Sequence, residues 1–284
     1  MSKRFRDRKD GSMVRISGFD KFLYLLKPRR SEAEVYISKK IDVSDLVKYM
    51  EKKKKDNEEI TYFHLFSTAV AKLVYNKPYL NRFIMGSNKY ERNEVTLSFV
   101  AKTKFEDDAK ELLKVIKIED DDNVDTISKK IFGSVRKIRS NEISHTDDFV
   151  NSLGKLPGMV MSIIVWFVKK LDRFDLLPKS LTENSIYHSS VLISNLGSIH
   201  CDGIYHNLTN FGTNSILLTI GEIKEEACVI DGKIDKRYIC DFGITLDERI
   251  ADGVYFAKSL NLLEYILNNP SMLEDRASDK INID

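Results

Sequence analysis

The chain has few cysteines, almost no net charge and no long apolar run. Its three cysteines (Cys201, Cys228 and Cys240) are an odd number and lack metal-ligand spacing. This indicates reduced thiols in a cytoplasmic protein and predicts neither disulfides nor a metal site. The formal charge of +2 is too small to indicate nucleic acid as a partner.

Membrane segments are also missing. The longest apolar run, residues 158–168, has about half of the ~20 residues that a membrane-spanning helix needs. Residues 1–15 are basic and contain no apolar stretch, so no signal peptide is expected. A buried helix, or one that faces a partner, explains the apolar run better. We expect a soluble protein with no membrane partner.

The composition supports one large domain. Of the 284 residues, 42% are hydrophobic and 31% charged, which is enough to bury a core. Residues 1–30 are rich in Lys and Arg and poor in periodic apolar positions, which predicts a basic N-terminal arm. Residues 31–284 are predicted to form the domain. It mixes helices and strands, as α/β and α+β folds do.

Local patterns predict the individual elements. Apolar residues in steps of three or four indicate helices, and alternating β-formers indicate strands. Helices are predicted over residues 42–55 (with Asp42 or Ser44 as the cap), 61–75, 124–140, 145–173 (with a break near Pro157) and 254–267. Strands are predicted over 35–38, 95–102, 112–118, 189–194, 215–221, 227–230 and 233–245. Asp231-Gly232 predicts a two-residue hairpin turn.

Two segments in the last third carry the candidate chemistry. One is Ile-Ser-Asn-Leu-Gly at residues 193–197, and the other is Asp-Glu-Arg-Ile-Ala-Asp-Gly at residues 247–253. Taken singly, Ser194 is an ordinary hydroxyl at a strand end. The second segment, also taken alone, is a turn with acidic residues at a helix start. Their order and spacing along the chain are more informative.

In that order they resemble the catalytic domain of the acyltransferase component of 2-oxo-acid dehydrogenase complexes, a relative of chloramphenicol acetyltransferase. That family has Ile-Ser-x-Leu-Gly, a buried strand, an Asp-Gly hairpin, a further strand and Asp-His-Arg-x-x-Asp-Gly before a helix. The similarity is most specific over residues 190–268 and extends more weakly upstream to about residue 30. It implies a coenzyme A-dependent acyltransferase fold, with a mixed sheet flanked by helices.

The resemblance also implies an activity and an assembly. The activity is acyl transfer between coenzyme A and a thiol or hydroxyl acceptor, and the assembly is a homotrimer with active sites between subunits. Ser194 matches the serine that donates to the oxyanion, and Asp252 matches the aspartate that supports the site through an ion pair. Arg29 or Arg30 is a candidate partner for Asp252. The sequence does not indicate which residues bind coenzyme A.

The departure from the family is Glu248, which stands where the family has its general-base histidine. An ordinary glutamate has a pKa of ~4.3, against ~6.5 for histidine and ~8.5 for the thiol to be deprotonated. The replacement therefore costs about 3 kcal/mol, or about two orders of magnitude in rate, unless burial or nearby acids strengthen the base. His64, His188, His200 and His206 are alternative bases without further support from the pattern.

These observations leave three hypotheses. The first is a stand-alone acyltransferase-like protein with Glu248 and Ser194 in the site; no lipoyl group is expected on this chain, so a lipoyl arm would belong to another protein. The second is a non-catalytic trimeric scaffold or coenzyme A sensor. The third is an acetyltransferase for a hydroxyl or amine acceptor, such as an antibiotic.

Overall fold

The computed structural model describes residues 7–55, 60–102, 111–139 and 156–282. In chain order the helices and strands are β1 (Gly11–Val14), α1 (Gly18–Leu26), β2 (Glu34–Asp42), α2 (Ser44–Lys55), α3 (Tyr62–Asn76), β3 (Arg82–Met85), β4 (Asn88–Arg92), β5 (Val95–Lys102), β6 (Glu111–Ile118), α4 (Val124–Arg139), α5 (Gly158–Arg173), α6 (Lys179–Thr182), β7 (Val191–Asn195), β8 (Ile216–Ile230), β9 (Lys233–Asp247) and α7 (Gly253–Asn268).

One mixed sheet dominates the fold. Its strand order is β2-β9-β8-β7-β5-β6, and β7 runs parallel to both of its neighbours. The other neighbouring pairs are antiparallel. A smaller antiparallel sheet joins β1, β4 and β3. The predicted α/β (α+β) class, with a mixed sheet flanked by helices, is confirmed.

The main core lies between this sheet and helices α2, α3, α4 and α7. The most deeply buried helix is α3, in which even Lys72 is 1% exposed. Its ammonium donates to the carbonyl oxygens of Asp275 (3.3 Å) and Arg276 (2.6 Å). Burial lowers the pKa of Lys72. This contact fastens the C-terminal segment to the core.

Most of the predicted element boundaries are confirmed to within a residue or two. At the start of α2 the Asp42 carboxylate accepts from the Ser44 N–H (2.9 Å) and hydroxyl (2.6 Å). The Asp231-Gly232 turn has both residues at positive φ, 50° and 78°, as a two-residue hairpin requires.

Two of the predicted elements need comment. The separate strands expected at residues 215–221 and 227–230 form one strand, β8, with an irregularity between Ile220 and Ile223. They join because β9 pairs along nearly the whole of β8. The part of the helix expected at residues 145–155 lies outside the described residues.

The N-terminal segment predicted to be an arm contains ordered elements over its described part. Ser17 and Asp20 cap α1 reciprocally, with the Asp20 N–H donating to the Ser17 hydroxyl at 3.0 Å. Tyr24 on this helix is 3% exposed and belongs to the core. Strand β1 pairs with β4. Residues 7–30 thus pack against the domain.

Candidate functional site

The loop after β9 is organised around the carboxylate of Asp247, which is fully buried. Arg249 donates from Nε to Oδ1 at 2.8 Å and from Nη2 to Oδ2 at 2.7 Å. This is a bidentate ion pair, in which two N–H groups of the guanidinium donate to the two oxygens of the carboxylate. The Arg249 N–H also donates to Oδ1, at 3.1 Å. The two residues fix the loop from the inside.

A second arginine reaches the same carboxylate. Arg30 is 5% exposed, and its Nε lies 3.8 Å from Oδ2 of Asp247. Its other nitrogens donate to the carbonyl oxygens of Thr209 (2.5 Å) and Gly212 (2.9 Å). Burial lowers the pKa of Arg30, and the Asp247 carboxylate acts in the opposite direction. The segment before β8 is thereby tied to the loop after β9.

Glu248 lies between these buried residues in sequence, but its side chain is 39% exposed. Its carboxylate pairs with the ammonium of Lys27, which is 47% exposed. The Glu248 N–H donates to the carbonyl of Ala33 at 2.9 Å, which holds the backbone against the start of β2. Within a single chain the Glu248 carboxylate is therefore not buried.

Lys27 is a residue that sequence reasoning missed. It follows α1 as the C-terminal cap, and its carbonyl accepts from Nη1 of Arg249 at 2.7 Å. A signal was available in the sequence: Ser17 and Asp20 have capping-box spacing, and Pro28 marks the helix end. Those residues predict a helix that ends at Lys27, although not the carboxylate that it meets.

Asp252 caps helix α7. Its Oδ1 accepts from the N–H of Tyr255 at 2.8 Å. The ion pair expected with Arg29 or Arg30 is not formed, because Arg30 faces Asp247 and Arg29 faces Glu32 at 3.8 Å. Arg30 reaches the first acidic residue of the motif, Asp247, and not the second. In this structure the contact made by Asp252 is local.

Ser194 lies on β7, partly buried, at the level of Thr219 on β8 and Gly243 on β9. Strand β9 continues four residues from Gly243 to Asp247, directly before Glu248. At ~3.3 Å per residue, the two levels are about 13 Å apart along the strands. Within one chain Ser194 and Glu248 therefore lie at different levels of the sheet. They cannot contact the same acyl group.

The alternative histidines occupy different environments. His64 is buried in α3, where burial lowers its pKa to about 4. His188 is buried beside Asp172, with Nε2 3.2 Å from Oδ1. His200 is 83% exposed, and its Nδ1 lies 2.5 Å from Oε1 of Glu222. His206 is exposed.

Among these four histidines His200 alone is both exposed and oriented by a carboxylate, and it lies near Ser194. The N–H of Leu196 donates to the Ile220 carbonyl, and the N–H of Glu222 donates to the Cys201 carbonyl. These bonds hold the loop with His200 at the Ser194 end of the strands. In the sequence, its place in the loop after the Ser194 motif is the one feature that distinguishes it from the other three histidines.

A cavity of about 130 Å³ lies beside the Asp247–Arg249 pair. Its lining includes four cationic side chains and one carboxylate, those of Arg29, Arg30, Lys169, Arg249 and Asp172. An excess of positive charge suits an anionic group. Among the described residues no group of three or more His, Cys, Asp or Glu side chains has the arrangement of a metal site.

A curated relative has a similar sequence. The chain is 22% identical over 249 residues to the lipoamide acyltransferase component of the branched-chain alpha-keto acid dehydrogenase complex of Bacillus subtilis (strain 168). The alignment covers 85% of this chain and 49% of that protein. The chain thus spans about half the length of this relative.

Solved structures share the fold. A probable dihydrolipoamide acetyltransferase from Listeria monocytogenes 4b F2365 is 18% identical with a TM-score of 0.61, covering 90% of this chain and 94% of that one. The dihydrolipoamide acetyltransferase of Azotobacter vinelandii is 16% identical with a TM-score of 0.59 (92% and 94% covered). A chloramphenicol acetyltransferase is 12% identical with a TM-score of 0.51 (92% and 99% covered).

The sequence pattern of the family described as 2-oxoacid dehydrogenases acyltransferase (catalytic domain) matches residues 23–152 and 176–274, most of the chain. The second stretch contains both motifs, including Ser194 and Glu248. The buried Asp247–Arg249 pair gives the second motif a structural basis that does not depend on which residue stands between them. The chain belongs to the 2-oxoacid dehydrogenase acyltransferase family, through its catalytic domain.

Proposed function

We propose that this protein transfers an acyl group between coenzyme A and a small acceptor, in the first place a lipoyl-type thiol carried by another protein. Family membership supports the reaction class. The observation that carries the proposal is the position of Glu248. The Asp247–Arg249 pair holds the loop rigid and leaves the Glu248 carboxylate at the surface, where an acceptor can reach it.

In the proposed reaction Glu248 takes the proton from the acceptor thiol. The resulting thiolate attacks the acyl carbon of acyl-coenzyme A, and Ser194 donates a hydrogen bond to the oxyanion. The coenzyme A thiolate then leaves and recovers the proton. The A. vinelandii enzyme was studied for the role of a serine, a histidine and an asparagine in its mechanism. Ser194, Glu248 and Asp252 are our candidates for the corresponding positions.

The proposed active form is a homotrimer with each site between two protomers. The separation of about 13 Å along the strands between the level of Ser194 and Asp247, the residue before Glu248, supports this, because a reacting acyl group needs Ser194 and Glu248 both within hydrogen-bond reach. A neighbouring copy would bring its Ser194 end against the Glu248 end of the first. The same arrangement would place His200 of one copy near Glu248 of the other.

An amine acceptor is a second candidate, and one contact favours it. Glu248 already binds an ammonium group, that of Lys27. An incoming amine could displace Lys27 and pair with the same carboxylate before acylation. A hydroxyl acceptor, such as an antibiotic, would lack this charge pairing.

A non-catalytic role is the alternative from a different class. In that case the Lys27–Glu248 pair would be a surface contact, and the protein would be a trimeric scaffold or a coenzyme A sensor. It predicts coenzyme A binding or assembly without turnover, and no change in turnover for Glu248→Ala.

One assay separates these functions. Coenzyme A release from acetyl-coenzyme A would be measured with dihydrolipoamide, a hydroxyl acceptor and an amine acceptor, using the native protein, Glu248→His and His200→Asn side by side. We expect turnover with the thiol, an increase in Glu248→His and little change in His200→Asn. Absence of both turnover and coenzyme A binding would contradict the proposal. If His200→Asn loses turnover, His200 and not Glu248 would be the general base.

A further inference from the structure

Helix α5 lies in the internal stretch that the family pattern leaves out. The match stops at residue 152 and resumes at residue 176, whereas α5 spans Gly158–Arg173. The helix holds the longest apolar run in the sequence. Among the described residues no helix is long and apolar enough to cross a membrane. A surface role is therefore the one to consider.

One stripe of α5 packs on the protein. Met161, Ile164, Val168 and Leu171, at helical spacing, are half-buried, and Asp172 is 3% exposed. Asp172 pairs with Arg8 and His188, which attaches the end of the helix to the domain. This inner stripe fixes which side of the helix faces outward.

The opposite stripe is apolar as well. Met159, Ile163 and Trp166 are 79%, 61% and 60% exposed, with Phe167 beside them at 55%. The surface helix of a soluble protein has polar residues on this side. Large contiguous apolar patches at a surface mark interaction sites. The patch continues past the helix in Phe174 and Leu176, at 66% and 62%.

The exposed charges on this helix have one sign. The exposed charged side chains on α5 are Lys169, Lys170 and Arg173, at its C-terminal end. The one acid of the helix, Asp172, faces inward. The ammonium of Lys170 lies 5.5 Å from the centre of the Trp166 ring, so cation and indole are adjacent. An apolar stripe with tryptophan at its edge and cations next to it matches an amphipathic helix at the surface of an anionic bilayer.

We propose that helix α5 binds the surface of an anionic lipid membrane, with Met159, Ile163, Trp166 and Phe167 in the headgroup region and Lys170 and Arg173 at the phosphates. An anionic membrane is proposed as the partner because the helix presents exposed cations beside the apolar patch and no exposed carboxylate. This departs from the expectation, drawn from the length of the apolar run, that the protein has no membrane partner. A helix lying on the surface does not need the length of a span. The proposal does not depend on the acyltransferase activity.

Trp166 provides the readout, since it is the only tryptophan of the chain. The full-length protein would be mixed with vesicles of phosphatidylcholine alone and with vesicles containing phosphatidylglycerol, and both fluorescence and co-sedimentation would be recorded. We expect a blue shift and co-sedimentation with the anionic vesicles only, weakened by salt. Lys170→Gln with Arg173→Gln should lower the partition coefficient about thirtyfold, the effect of two cations near an anionic surface.

Matched variants localise the effect. Met159→Ser with Ile163→Ser should abolish binding, whereas Val229→Ser with Ile234→Ser should not, although those hairpin side chains are 72% and 80% exposed. Circular dichroism checks that each variant folds. Absence of binding, or equal binding to neutral vesicles, overturns the proposal. The proposal is also overturned if the Trp166 fluorescence shifts to the blue without vesicles as the protein concentration rises, and if this shift is absent in Met159→Ser with Ile163→Ser. That result would mean that a second copy of the chain covers the helix.

Discussion

The Asp247 carboxylate and the Arg249 guanidinium form a bidentate ion pair that is almost completely shielded from water. Removing either partner leaves a buried charge without its counterion, which typically costs 3–5 kcal/mol. The pair explains why an acid and an arginine flank position 248. It fixes the backbone, and the residue between them is free to face outward.

Asp247→Asn should lower the free energy of unfolding by about 3–5 kcal/mol, because both Arg249 and Arg30 lose their buried anion. Urea denaturation followed by circular dichroism measures the change. The exposed pair of Lys48 with Asp45 provides a control, since Asp45→Asn should change stability by less than about 1 kcal/mol. Equal effects of the two substitutions would contradict the role given to Asp247.

Mixing protomers tests whether Ser194 and Glu248 act across an interface. Ser194→Ala and Glu248→Ala are each expected to reduce turnover, by about 10²-fold or more for the oxyanion donor. Co-refolded mixtures of the two variants should recover part of the activity, because some interfaces then combine an intact Ser194 with an intact Glu248. The coenzyme A-release assay measures it. Mixtures no more active than the separate variants would contradict an intersubunit site.

Lys27→Met should free the Glu248 carboxylate for an incoming acceptor. Turnover with the preferred acceptor is expected to rise a few-fold, because the acceptor no longer displaces an ammonium group. Stability should change little, since exposed ion pairs contribute about 0–1 kcal/mol. Lys21→Met on the same helix is the control. A fall in turnover specific to Lys27→Met would instead give this lysine a direct part in binding the substrate.

Asp252 can be tested by separating its capping contact from its charge. Asp252→Ala should destabilise the protein by about 1 kcal/mol, because α7 loses the side-chain acceptor for the Tyr255 N–H. Asp252→Ser keeps a capping oxygen and should retain stability, but turnover should fall because the carboxylate at this candidate site position is lost. If the serine variant is stable but inactive, the carboxylate charge supports the site as the family resemblance implies.

His64 should make stability depend on pH. Burial lowers its pKa from 6.5 to about 4. As the pH falls, His64 is protonated at a higher pH in the unfolded chain than in the folded one. The free energy of unfolding that neutral His64 contributes above pH ~6.5 is therefore lost as the pH drops towards 4. The loss amounts to about 3 kcal/mol. His64→Gln keeps an acceptor for the Thr61 N–H and should remove this dependence in urea unfolding at pH 7 and 4.5.

His200→Gln is the control for that measurement, since the imidazole it removes is exposed. It should leave the difference between pH 7 and pH 4.5 close to the native value. A pH dependence that persists unchanged in His64→Gln would show that other groups cause it.

Much of the fold could be predicted from short-range patterns. The period of apolar residues in α3, the Asp-Gly turn and the alternation in β5 each depend on a few neighbouring residues. Those signals gave the elements and their order. The N-terminal segment was harder, because Lys and Arg dominate its composition and hide the capping pattern at Ser17 that begins α1.

Short-range patterns do not predict the contacts of the candidate site. Sequence alone determined the class of fold and the two motifs, with Glu248 between Asp247 and Arg249. Only the tertiary structure decided that Arg30 meets Asp247, that Lys27 meets Glu248 and that Ser194 lies at a different level of the sheet from Glu248. The Lys27–Glu248 contact joins residues 221 positions apart. The contact depends on the pairing of β2 with β9 and on the residue at which α1 ends. The pairing joins distant parts of the chain, so it cannot be predicted from the residues near either partner.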